Sequence, residues 1–264
     1  MTLLYNIGIR IYWLVAVILS PWKRKAKLWV EGRKHCYEKL SAAFAPADKV
    51  IWFHCASLGE FEQGRPVIEE IRGRMPEHKI LLTFFSPSGS EKRKDYKGAD
   101  YVMYLPLDTR RNAIKLLGML SIEMAFFIKY EFWFHFLNQL NRKRIPLYLV
   151  SGNFRSGQLF FRWYGHWYRR FLWLFTHIFV QNEDSVSLLA GIGYQDVSVA
   201  GDTRFDRVHE LLKSSFSHPA LESFSKDSPV LVAGSTWEKD EQLLAHAYSE
   251  LSHELRWIIA PHEL

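Results

Sequence analysis

"WFHCASLGEFEQGRPVIEEI", residues 52–71, decides the fold. Its opening extends the apolar run begun by Val50 and Ile51, and from Glu60 onward apolar residues recur at helical spacing. Between the two halves, Ser57-Leu58-Gly59-Glu60 forms a short turn that ends in a carboxylate. A buried strand that hands over directly to an amphipathic helix is the unit from which parallel sheets are built. The same unit recurs: "KILLTFFS" before "SGSEKRKDY", "MAFFIKY" before "FWFHFLNQLNRKR", and "HIFVQ" before "EDSVSLLAGIG". "PLYLVSG", "DVSVAG" and "PVLVAGST" with "EKDEQLLAHAYSEL" and "RWIIAPH" continue the alternation. It predicts an α/β fold with a parallel sheet and helices on both faces.

Ligands of such sheets bind beyond the carboxyl ends of the strands. That rule brings Ser57 to Glu60, Ser86 to Ser90, Tyr130-Glu131, Ser151 to Asn153 and Gly234 to Thr236 to a candidate site edge. The polar, Ser-rich, Pro-bounded stretch 214–229 reads as a linker or peripheral segment before a second α/β domain.

With 264 residues, 48% of them apolar, the chain can bury a sizeable core as one large or two smaller domains. A formal charge of +6 favours an anionic partner: phosphate, nucleic acid or an acidic membrane surface. The two cysteines, Cys36 and Cys55, have neither metal-ligand spacing nor a disulfide framework, and read as small buried hydrophobes in a reducing compartment.

The N-terminus carries an apolar run from Leu3 to Leu19, interrupted by Arg10, then Pro21 and the basic cluster Lys23, Arg24, Lys25 and Lys27. This length approaches what a bilayer requires. Charges after the run, and no small-residue cleavage site, set it apart from a signal peptide. It reads as an uncleaved anchor or interfacial helix with the rest of the chain cytoplasmic, or else as a buried docking helix. Trp13, Trp22 and Trp29 would suit the interface. "LFFRWYGHWYRRFLWLF", residues 159–175, reads either as a core helix with snorkelling arginines or as a second lipid contact.

The turns carry the chemistry. Glu60 lies in a first helical turn, where the macrodipole favours an acid for purely structural reasons. Ser86, Ser88, Gly89 and Ser90 offer hydroxyls and free amides to an anion, or simply a Ser88–Glu91 capping box. Walker, dinucleotide-binding, zinc and nucleophile-elbow motifs are absent from the sequence.

Taken in order, nine segments resemble the 3-deoxy-D-manno-octulosonic acid (Kdo) transferases of lipopolysaccharide biosynthesis. They are "LWVEGR", "IWFHCASLGEFEQGRPVIEEI", "TFFSPSGSE", "YLPLD", "YEFWFHFLNQLNRKRIPLYLVSGNFR", "VQNEDSVSLLAGIG", "VSVAGDTRFD", "VLVAGSTWEKDEQLLAHAY" and "WIIAPHE". The resemblance implies a GT-B glycosyltransferase of two Rossmann-like, doubly wound domains. Residues 1–30 would be the membrane-associated helix, 31–205 the acceptor-binding domain, and 206–264 the start of the nucleotide-sugar-binding domain.

The implied activity is transfer of Kdo from CMP-Kdo to a lipid A precursor at the cytoplasmic face of the inner membrane, with inversion. Neither a metal nor a cofactor is implied, and no nucleic-acid partner. Glu60 matches the family's general base and Glu131 a second functional acid. Ser57, Gly59, Ser86, Ser88, Gly89, Ser90 and Arg204 fall on the acceptor or anion side, and Gly234, Ser235, Thr236 and His262 on the donor side. Three departures stand out: Arg204 where the family often has Lys, Lys129-Tyr130 where it has an acidic run, and altered residues around His262. The chain's end at Leu264, after two strands of the second domain, is expected of an N-terminal portion. The rival expectations are a GT-B transferase using another nucleotide sugar, and a non-catalytic module that binds RNA or anionic lipid.

Overall fold

Every residue from Val50 to Cys55 is buried, which is why the run contains no exposed polar side chain. Alternate residues serve opposite faces: Val50 and Trp52 join one hydrophobic cluster, Ile51, Phe53 and Cys55 another. The computed structural model describes residues 1–213, 218–251 and 255–262 in two units, Met1–His209 and Glu210–Leu264.

In chain order the elements up to the boundary are α1 (Thr2–Leu19), α2 (Arg24–Glu31), α3 (Cys36–Ala43), β1 (Lys49–Cys55), α4 (Leu58–Arg74), β2 (Lys79–Phe84), α5 (Pro87–Arg93) and β3 (Tyr101–Tyr104). There follow α6 (Arg110–Met119), β4 (Ser121–Ile128), α7 (Phe134–Arg142), β5 (Leu147–Gly152), α8 (His166–Leu172), β6 (His177–Val180), α9 (Glu183–Ala190), β7 (Val197–Val199) and α10 (Arg204–Lys213). The seven strands pair in the order β3-β2-β1-β4-β5-β6-β7, all parallel. The winding direction therefore reverses between β1 and β4, and the crevice at their carboxyl ends is the site such a sheet creates. On one face α4 supplies Phe61 and Ile68 to the core; on the other α6 and α7 supply Leu116, Leu117, Phe136 and Leu140.

α1 is the one helix among the described residues long and apolar enough to cross a membrane. It is continuous through Arg10. Its inner side rests on loops that follow three strands: Tyr5 packs on Phe134 at 5.7 Å and bonds Asp108, and Tyr12 packs on Phe85 at 5.7 Å. Phe85, Asp108 and Phe134 follow β2, β3 and β4, so α1 lies across the carboxyl rim of the sheet. Its other side, with Leu3, Leu4, Ile7, Ile11, Leu14 and Ile18, is exposed and apolar. Trp29 departs from the expectation of an interfacial residue. It is buried under Tyr12 and Phe85, with the Arg33 guanidinium 3.8 Å from its ring centre. The stretch 159–175 divides between the two readings: Phe160, Phe171, Leu172 and Phe175 are core, while Trp163, Tyr164 and Trp173 are exposed.

The second unit holds α11 (Pro219–Ser225), β8 (Val230–Thr236), α12 (Glu238–Leu251) and β9 (Arg256–Pro261), with β8 and β9 parallel. Of the expected linker, residues 214–217 lie outside the described residues and 219–225 are helical.

Candidate active site

Glu60 and Glu131 follow the two strands between which the sheet reverses. At the end of β1, Ser57 is the N-cap of α4, and Ser57 and Glu60 close a capping box. The Glu60 carboxylate accepts from the amides of Ala56 at 2.5 Å and Ser57 at 3.2 Å. The helix-terminus role anticipated for this acid is thus real, and it also fixes the side chain's position. Burial, and then the charge of Glu131, push the Glu60 carboxyl up to about 7. The two amide bonds and Lys129 hold it from rising further. A carboxyl held by two amides and pushed up toward neutrality has the kind of proton affinity that general acid–base chemistry uses.

Glu131 follows β4 and is only 8% exposed. Its Oε2 lies 3.0 Å from His54 Nε2 and 2.7 Å from Trp133 Nε1. Among the described residues its Oε1 has no hydrogen-bond partner. His54 itself is wholly buried in β1, with Nδ1 2.8 Å from Thr83 Oγ1 of β2, which also accepts from Trp52 Nε1 at 2.8 Å. A polar chain thus runs across β1 and β2, from Trp52 through Thr83 and His54, to Glu131 in the loop after β4. Buried polar groups are tolerated when each has a partner, and this chain anchors the second acid to the sheet.

Lys129 and Ser151, at the ends of β4 and β5, have φ of 68° and 60°. Left-handed backbone at non-glycine residues is uncommon and clusters at functional edges. The Lys129 conformation turns the chain out of β4 just ahead of Glu131.

The other expected residues distribute unevenly. Gly59 is exposed, and a Cβ there would meet nothing within 4 Å, so the turn beside Glu60 is open to a ligand. Ser86 is the N-cap of α5 and pairs with the exposed Ser88 through their hydroxyls at 2.9 Å. Gly89 and Ser90 face inward; a Cβ on Gly89 would collide with the Phe84 ring. The Ser88–Glu91 capping box does not form, because the helix starts at Pro87 and Glu91 accepts from Tyr104 Oη instead. Arg204, at the start of α10, is chelated by Asp202, with Nε at 3.0 Å and Nη2 at 2.5 Å from Oδ2. That bond holds the Asp202 carboxyl down at about 2. Asp202 and Thr203 in turn bond Gln63 of α4, at 3.2 and 2.6 Å, so this loop braces the helix that carries Glu60.

In the second unit, Gly234, Ser235 and Thr236 end β8, and His262 follows β9. Ser235, with φ 59°, places its Oγ 2.8 Å from His262 Nδ1. The His262 ring stacks on Trp237 at 4.3 Å. Thr236 Oγ1 donates to Glu241 at 3.0 Å. The four expected donor-side residues therefore meet at the carboxyl ends of this unit's own two strands, a different sheet from the one that carries Glu60.

Sequence reasoning missed His54, Thr83, Trp133 and Arg33. His54 sits inside a run read as strand interior, and its partners are 29 and 77 positions away. Arg33 donates to the carbonyls of Trp29, Phe85 and Leu105, at 2.8 to 2.9 Å. It thereby clamps α2 to the loops after β2 and β3.

Three comparisons bear on this geometry. Residues 29–207 match the family model described as 3-deoxy-D-manno-octulosonic-acid transferase (kdotransferase). The chain is 24% identical over 217 residues to the 3-deoxy-D-manno-octulosonic acid transferase of Haemophilus influenzae, covering 79% of this chain and 50% of that protein. It is likewise 24% identical over 238 residues to that of Rickettsia typhi, covering 88% of this chain and 50% of that protein. The chain thus spans about half the length of these relatives. Among solved structures, the UDP-GlcNAc 2-epimerase of Neisseria meningitidis bound to UDP-GlcNAc superposes with TM-score 0.57 at 16% identity, over 81% of this chain and 66% of that one. This likeness shows the fold alone, which is of the GT-B type. With its reversing parallel sheet and a match over residues 29–207, the chain belongs to the 3-deoxy-D-manno-octulosonic-acid transferase family of glycosyltransferases.

Proposed function

We propose that the whole protein transfers Kdo from CMP-Kdo to a lipid A precursor at the cytoplasmic face of the inner membrane, inverting the anomeric centre, with Glu60 as general base. The observation that carries this proposal is a carboxyl held by two amides at the sheet's reversal point and pushed up to about 7. As the acceptor hydroxyl oxygen bonds to the anomeric carbon, its proton passes to Glu60. The bond from that carbon to the CMP phosphate oxygen breaks, and its electrons leave with CMP.

Glu131, with Oε1 free among the described residues, orients the acceptor. Ser57, Gly59, Ser86, Ser88 and the unspent guanidinium edge of Arg204 serve anionic groups of acceptor or donor. Gly234, Ser235, Thr236 and His262 hold the nucleotide. No metal or other cofactor enters the proposal. α1 keeps the carboxyl rim beside the lipid.

The test is transfer of labelled Kdo from CMP-Kdo to a tetra-acylated lipid A precursor by the full-length protein and its Glu60→Gln variant. A loss on the order of 10²–10⁴-fold with donor binding retained is expected for removal of a general base. Equal activity in both would remove Glu60 from the mechanism. Absence of transfer by folded wild type would reject Kdo transfer, and competition by UMP or UDP in preference to CMP would point to another nucleotide sugar.

A further inference from the structure

Outside the Glu60, Glu131 and His54 group, a cavity of about 280 Å³ opens between α1, the start of α6 and the start of α7. Three exposed arginines line it, Arg10 from α1 and Arg110 and Arg111 from the first turn of α6. Among the described residues none of the three is in an ion pair, as is true of several other exposed arginines, but these three share one cavity with helix-start amides.

The cavity's one carboxylate, Asp108, can offset at most one of the three charges, and its oxygens are taken up by other donors. Asp108 Oδ2 accepts from Tyr5 Oη at 2.5 Å and the His135 amide at 3.0 Å, and Oδ1 accepts from the Phe136 amide at 3.0 Å. The positive potential is felt by a neighbour: burial, and then the charge of Arg110, lower the affinity of His135 for a proton. At the mouth of α6, the Thr109 hydroxyl accepts, among the described residues, only from the Asn112 amide. The amides of Arg110 and Arg111 have no acceptor among the described residues. Arginines that share one small space with helix-start amides suit a phosphate. Arg10 adds the location, since it projects from a helix whose outer side is a continuous apolar surface.

We propose that this cavity binds the phosphate of a lipid headgroup whose acyl part lies along the exposed apolar side of α1. The proposal shares the membrane placement of α1 with the function proposed above but needs nothing from the identity of the sugar or the nucleotide. The cavity would hold α1 and the carboxyl rim at the depth of the phosphate layer.

The test is flotation of the full-length protein with vesicles of phosphatidylcholine, with and without phosphatidate. It compares wild type, Arg110→Gln/Arg111→Gln, and Lys25→Gln/Lys27→Gln, which removes equal charge beside α1 without touching the cavity. The arginine pair is expected to lose binding to phosphatidate vesicles about tenfold more than the lysine pair. Binding to neutral vesicles should be unchanged in both, and thermal melts matching wild type report that the variants are folded. Equal losses for the two pairs would overturn the proposal, because general attraction to the surface would then explain everything.

A second measurement titrates the His135 ring resonances with dihexanoyl phosphatidate and with inorganic phosphate. Saturation by the lipid at about tenfold lower concentration, lost in the arginine variant, is the expected result. Equal saturation by inorganic phosphate would reject a lipid as the source.

Discussion

Glu60 stands at a balance of opposed influences, and each can be removed separately. Burial and Glu131 raise its proton affinity, while the Ala56 and Ser57 amides and Lys129 lower it. If Glu60 is the base, kcat of the full-length protein should rise with pH through about 7. Glu131→Gln should move that limb to lower pH and Lys129→Ala to higher pH, as read from pH–rate profiles. Stability carries the opposite sign. The folded value, about 7, lies above the ordinary 4.5, so the folded state binds the proton more tightly. The contribution of protonated Glu60 is complete below pH 4.5 and is lost as pH rises through 7. Glu60→Gln should therefore be more stable than wild type above pH 7, by on the order of 1–3 kcal/mol, with no difference at pH 4. Thermal melts across pH measure it. The position of Glu60 at a strand-to-helix turn was legible in the sequence. Its shifted proton affinity was not, because it comes first from burial in the folded chain and then from Glu131, 71 residues further along.

At the scale of elements, two glycines and one arginine decide how helices meet the sheet. Gly32 ends α2 directly over Tyr104, where a Cβ would strike the ring, and Gly89, in the first turn of α5, lies as close over Phe84. Gly89→Ala should cost about 1–3 kcal/mol in chemical denaturation, the usual penalty of overpacking. Arg33 is buried enough to fall to about 9, and three carbonyls hold it. Lys keeps the charge but not the planar fork, so Arg33→Lys should destabilise by about 2–3 kcal/mol rather than rescue. The motif "LWVEGR" was visible as a match to a family, yet its physical reason was not, since Gly32 and Arg33 act on residues 52 and 72 positions away. Strands and helices were legible because burial on both faces writes continuous apolar runs and helical spacing into the chain. α5 was misjudged at its start because Ser86 and Ser88 are equally good caps, and only the pull of Tyr104 on Glu91 separates them.

Over the whole molecule, the placement of α1 connects the apolar N-terminus to the site. Its inner residues Tyr5 and Tyr12 rest on the loops after β2, β3 and β4, while its outer side stays uncovered. Replacing Ile7, Ile11 and Leu14 together with Ser should abolish flotation with vesicles while shifting Tm by no more than a few degrees, because these side chains leave water on lipid contact and not on folding. Asp108→Asn should act the other way. It weakens the bond to Tyr5 and the cap on α7 and lowers stability by about 1–2 kcal/mol, as seen in denaturant, with flotation retained.

The sequence by itself determined the class of fold, the order of its strands and helices, the turns that carry Glu60 and Glu131, and the apolar character of α1. All of these are local: each follows from the periodicity of neighbouring residues and from which side chains water excludes. Only the tertiary structure decided that β1 and β4 lie side by side, that His54, Thr83 and Trp133 tie Glu131 to the sheet, that one edge of Arg204 pairs with Asp202, and that Arg10, Arg110 and Arg111 line one cavity. These are pairings across tens of residues, and the hydrogen bonds and charges that distinguish them exist only once hydrophobic burial has brought the partners together.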